Sequence, residues 1–128
     1  MAGSSAQLHE DLSVLRQATV ERHRATVSLM EELEAIDWYD QRVDATTDDE
    51  LRAVLMHNRD DEKEHASMNL EWLRRHDLQL DANLRRYLFT SGPITALAPA
   101  DSEPAAAEAP STDSGSLGVG SLRSKEGL

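Results

Sequence analysis

Cysteine is absent from the 128 residues, which excludes disulfide frameworks, thiolate catalysis and every Cys-based zinc or iron–sulfur site. Aromatic side chains are scarce at 4%, with one Phe, two Trp and two Tyr. A single copy can therefore bury only a thin core, and stability is expected to draw on self-association. Positive charge is in deficit, with 13 Lys and Arg against 24 Asp and Glu, a net charge of −11. Nucleic-acid phosphates and anionic lipid both need a basic face, so neither is an expected partner. No apolar run approaches the roughly 20 residues that cross a bilayer. The opening Met1-Ala2-Gly3-Ser4-Ser5 has neither the basic nor the apolar segment of a secretory leader, so the expected location is the cytoplasm.

Proline and glycine are confined to the ends of the chain, and that sets the organisation. From Leu8 to Tyr39 there is neither, and Leu8, Leu12, Leu15, Leu29, Leu33 and Ile36 recur with the short steps of a helix. Thr47-Asp48-Asp49-Glu50 has the spacing of a capping box, with Thr47 as cap. A second helix is expected from about Asp48 to Arg75, and a short third one around Asp81–Phe89. The brief gap between the long helices makes an antiparallel hairpin the default. Three of the four Pro lie beyond residue 98, in an Ala-, Ser- and acid-rich stretch with no aromatic residue. Such a composition cannot offset its ordering entropy. The expected domains are a helical domain over 1–97, a disordered linker over 98–114 and a separate tail over 115–128.

Along the second helix, Leu51, Leu55, Asn58, Glu62, His65, Asn69 and Trp72 follow each other in steps of four and three, a seam with apolar ends and a polar middle. A carboxylate, an imidazole and two amides are costly to bury without partners. On the first helix, Glu32 lies between Leu29 and Ile36 on the apolar stripe, with Tyr39 seven residues further. Glu62 and His65 form Glu-x-x-His, which places a carboxylate and an imidazole on adjacent turns. In ferritin-like di-iron bundles, two helices each give a Glu and two each give Glu-x-x-His. One chain here supplies one of each, so a second copy must supply the rest. Asp61 lies about 100° off the Glu62–His65 line and cannot substitute. Glu31 and Glu34 share a neighbouring face, either as flanks of the mouth of the site or as solvated acids. His9, His23, His57 and His76 fall off the line and read as surface or interface residues, and Met68 and Trp72 read as core.

These residues resemble the encapsulated ferritins. The resemblance rests on Met30-Glu31-Glu32-Leu33-Glu34-Ala35-Ile36-Asp37-Trp38-Tyr39-Asp40-Gln41-Arg42, on His57-Asn58-Arg59-Asp60-Asp61-Glu62-Lys63-Glu64-His65-Ala66, on Leu70–Arg75 and on Tyr87-Leu88-Phe89-Thr90. It implies an all-α fold: an antiparallel two-helix hairpin plus a short C-terminal helix, half of a ferritin-like four-helix bundle completed by dimerisation. It further implies assembly of dimers into an open ring, commonly a decamer. By the same resemblance Glu32, Glu62 and His65 match iron ligands at a ferroxidase centre with two Fe per subunit pair. Trp38 and Tyr39 match residues close to it. Glu31 and Glu34 match outer access sites that would take calcium or other divalent cations.

Gly115-Ser116-Leu117-Gly118-Val119-Gly120-Ser121-Leu122-Arg123 resembles the cargo-loading peptide that docks inside encapsulin shells. Leu117, Val119 and Leu122 are apolar anchors spaced by small residues, suited to an extended peptide in shallow pockets. The implied function is Fe(II) oxidation feeding iron storage inside an encapsulin nanocompartment. Two alternatives are manganese-dependent peroxide removal on the same ligands and a non-catalytic helical adaptor whose polar seam specifies pairing.

Overall fold

A computed structural model describes residues 7–99. All regular structure among them is helical: α1 (Gln17–Ala45), α2 (Asp49–Arg75) and α3 (Leu78–Tyr87), with 3₁₀ turns at Leu12–Val14 and Ile94–Leu97. The expected linker beyond residue 99 and the 115–128 tail lie outside the described residues.

Helix α1 starts nine residues later than the apolar steps suggest. The Asp11 carboxylate accepts from the backbone N–H of Ser13 at 2.8 Å and from its hydroxyl at 2.7 Å. This local bonding favours a tight turn over a helix, and Leu12–Val14 winds as 3₁₀. At the other end α1 runs six residues past Tyr39 to Ala45, since nothing between them breaks a helix.

The cap of α2 is Asp48, not Thr47. Its carboxylate accepts from Leu51 N–H at 2.9 Å, while the Thr46 hydroxyl accepts from Asp48 N–H at 3.2 Å. A carboxylate accepts more strongly than a hydroxyl and also opposes the positive end of the helix dipole, so the start shifts by one residue and no capping box forms. Arg74 and Arg75 close α2 at its negative end. Both reach back to Glu71 at 2.8 Å and 2.6 Å, holding that carboxyl down at about 2, and Arg74 also pairs with Asp81. Helix α3 starts at Leu78, ahead of the expected Asp81, because the Asp77 carboxylate accepts from Leu80 N–H at 3.0 Å. It ends at Tyr87, two residues early, and Phe89 then takes φ 61°.

The chain divides after Asp81 into two compact units. In the first, α1 and α2 pack as an antiparallel hairpin: Arg59 on α2 meets Asp40 on α1, and His65, further along α2, meets Glu32, earlier on α1. Leu29, Ile36 and Val43 recur every seven residues on the inner face of α1, with Glu32 and Tyr39 between them. On α2 the face against α1 is the line Arg52, Arg59, Ala66 and Leu73, with Leu55, Glu62 and Asn69 beside it. The expected seam had mixed this second line with an outer one. Leu51, His65 and Trp72 are exposed, and so are Val54 and Met68 next to them. Met68 at 57% and Trp72 at 36% exposure are not core residues of the single chain. Among the described residues only Val20, Val43, Ala66 and Leu73 are buried hydrophobic side chains. The hairpin therefore leaves one face of α2 open, apolar at both ends and polar at Asp61 and His65. In the second unit the described part carries a hydrogen bond from Arg86 Nη1 to Leu97 O at 3.4 Å.

Candidate metal centre

Glu32 projects from the inner face of α1, and Glu62 and His65 from one edge of α2. Each offers one ligand atom such that all three atoms lie within 4.8 Å of one another. Among the described residues no other cluster of three metal-ligating side chains comes together in this way. His65 Nδ1 stands 3.3 Å from Glu62 Oε1 and 3.8 Å from Glu32 Oε1. The two carboxylates are half-buried in the helix interface, while the imidazole is 47% exposed on the edge that adjoins the open face. One side of the site is thus protein and the other is uncovered.

The electrostatics are those of negative charges held close together. The Glu32 carboxyl is raised, first by its hydrogen bond with Glu62, then by partial burial and the nearby charge, with Glu31 adding to the repulsion. Glu62 is lowered, first by accepting that hydrogen bond and further by His65. The imidazole is raised, chiefly by its hydrogen bond to Glu62. A divalent cation would relieve the repulsion within the whole trio. Two carboxylates and an imidazole suit a first-row ion such as iron, manganese or zinc.

The other expected site residues lie elsewhere on or beside α1 and α2. Glu31 is exposed and Glu34 half-buried on the adjacent face of α1. Trp38 is exposed, and the half-buried Tyr39 ring carries the Arg42 guanidinium 5.5 Å from its centroid. His57 turns away to Asp61 at 3.3 Å, and the His76 ring stacks on Trp72 with centroids 3.7 Å apart. Neither joins the trio. Sequence reasoning missed Arg52 and Arg59. Their signal was the seven-residue spacing to Ala66 and Leu73, which marks the face of α2 turned toward α1.

Known proteins place this geometry in context. Residues 7–91 match the protein family described as EncFtn-like. The chain is 59% identical along its whole length to an encapsulated ferritin-like protein of Rhodospirillum rubrum, of which it covers 96%. It is 53% identical over 70% of its length to a ferritin-like protein of Thermotoga maritima, covering 78% of that protein. An encapsulin nanocompartment cargo protein of Myxococcus xanthus is 36% identical over 72% of the chain and 76% of its own length. Among solved structures, a crystal structure of a Nitrosomonas europaea protein superposes with a TM-score of 0.67 at 55% identity, over 68% of this chain and 96% of that one. The chain belongs to the EncFtn-like family of ferritin-like proteins.

Proposed function

We propose that two copies of this chain pair across the open face of α2, and that Glu32, Glu62 and His65 of both copies bind two Fe(II) ions for oxidation by dioxygen. One observation carries the reading: the trio gathers within 4.8 Å at the edge of a face that the single chain leaves uncovered. The trio is half of the ligand set that a ferritin-like di-iron bundle divides among four helices. Twofold pairing of two hairpins supplies the other half, and it covers Leu51, Val54, Met68 and Trp72 at the same time.

Iron is the substrate. Two Fe(II) give one electron each, and the pair reduces dioxygen, with two protons, to hydrogen peroxide while both irons become Fe(III). The carboxylates favour the more highly charged product, and the helix interface keeps the ligands fixed and partly dry. Glu31 and Glu34 concentrate negative potential at the approach and take calcium or other divalent cations in passing. Tyr39 and Trp38 lie near the centre. Dimers assemble into a ring, commonly a decamer in this reading. Residues 115–123 tether it, through the 98–114 linker, to the inner wall of an encapsulin shell, where the ferric product is stored.

Oxygen uptake on adding Fe(II) to the metal-free protein tests the chemistry. The expected result is about one dioxygen consumed per two Fe(II), lost in Glu62→Ala. Peroxide loss on adding Mn(II), with no oxygen uptake on Fe(II), would replace ferroxidase by peroxide removal on the same ligands. A dimer indifferent to exhaustive chelation, with neither activity, would leave a helical adaptor.

A further inference from the structure

Few apolar contacts hold the hairpin together. Leu29, Ile36 and Val43 repeat every seven residues on α1, and Ala66 and Leu73 do so on α2, with only four side chains of the described residues buried as core. A polar residue on such a face distinguishes registers, because only one places its partner opposite.

Two arginines occupy that position. Arg52 Nε donates to Val43 O at 3.3 Å, and its Nη2 donates to Thr46 O, which ties the start of α2 to the end of α1. Seven residues on, Arg59 is 18% exposed, and its Nη1 reaches Asp40 Oδ1 on α1 at 3.1 Å, while its Nε holds Asp60 Oδ1 at 3.1 Å. Arg59 stands one helical turn before Glu62 on the same side of α2. The contact Arg59–Asp40 is thus the cross-helix bond next to the acidic trio. A slip of one turn moves the helices by about 5.4 Å, more than the spacing of the trio itself, and would carry Glu32 out of reach of Glu62 and His65. It would also take Asp40 from the guanidinium and leave it Asp60 alone.

We propose that Arg59 is a positioning residue for the metal centre: its ion pair with Asp40, beyond the tie that Arg52 makes at the helix ends, holds α1 and α2 in the alignment that brings Glu32 to Glu62 and His65. The inference rests on the metal-binding reading of the trio. Arg59 touches no metal and acts through the alignment of the helices.

Co(II) binding to the full-length protein, by calorimetry and by the visible absorption of the bound ion, separates the possibilities. The variants are Arg59→Met, which keeps the apolar stem, Asp40→Asn, the exchange pair Asp40→Arg with Arg59→Asp, and Glu62→Ala. The expected result is a loss of affinity of about tenfold or more in both single variants, with an altered spectrum, and recovery in the exchange pair. Should Arg59→Met fail to fold, Asp40→Asn makes the same comparison with every helix-facing volume retained. Wild-type affinity and spectrum in the single variants, even with a lower Tm, would overturn the proposal and leave Arg59 a stabilising residue only. Equal Co(II) binding by wild type and Glu62→Ala would instead overturn the metal reading itself, and the positioning role with it.

Discussion

His65 Nδ1 lies 3.3 Å from Glu62 Oε1, one turn earlier on the same helix, so the imidazole nitrogen that faces the acidic group is already engaged by a carboxylate. A metal ion bound between them competes with the proton of the charged imidazole. The Glu62 hydrogen bond holds the imidazole above its ordinary value, so the imidazole–carboxylate attraction of the metal-free fold is fully present below that value and is lost as pH rises through the raised one. Metal binding has the opposite sign.

Affinity for Co(II) or Zn(II) should therefore climb as pH rises through and beyond the ordinary histidine value of about 6.5, with proton release from His65. Calorimetry in buffers of different ionisation enthalpy measures that release. A binding enthalpy independent of buffer would contradict it.

Substitution separates ligands from bystanders. Alanine at Glu32, Glu62 or His65 should bring iron oxidation close to background with helical content by circular dichroism unchanged, since twofold pairing removes two ligands at once and the metal-free site loses charge repulsion. Alanine at Glu31 or Glu34 should slow oxidation at low iron and leave the rate at high iron intact. His57→Ala should do little, because His57 faces Asp61. Full activity in Glu62→Ala would move the centre elsewhere.

The open face makes its own prediction. Met68→Glu places a charge where a second hairpin would pack, so sedimentation should show a shift to monomer and the loss of any association driven by Fe(II). The hairpin contacts of Ala66 and Leu73 lie on the other side of α2 and stay in place. Unchanged association would mean that copies pair through another surface.

Deleting residues 115–128 should abolish capture by a co-expressed encapsulin shell and leave Fe(II) oxidation by the free protein unchanged. Residues 115–128 and the trio sit in separate stretches of the chain. Undiminished capture of the truncated protein would rule the tail out.

The sequence made the trio legible because its spacing is local. Glu-x-x-His fixes Glu62 and His65 relative to each other within one helix, and Glu32 shares a stripe with Leu29 and Ile36. The two long helices were equally plain from thirty residues without Gly or Pro. The rotation of α2 was less so. Arg52 and Arg59 carry no mark of their role in the sequence pattern of charges, and only the tertiary fold supplies the Val43 carbonyl and Asp40 that turn their heads inward. Leu51, Met68 and Trp72 read as core because the pattern marks every face that is ever covered, whether by this chain or by another copy. Helix starts depended on Asp11, Asp48 and Asp77, whose carboxylates compete for backbone N–H groups within a few residues of each other.

Whether two copies share the metal centre is decided by an anomalous-scattering map recorded at the iron absorption edge. The expected map has two iron peaks close to a twofold axis, each bounded by Glu32, Glu62 and His65 side chains drawn from both copies. Iron bound within a single hairpin, or an empty trio with iron held elsewhere on the acidic surface, would contradict it.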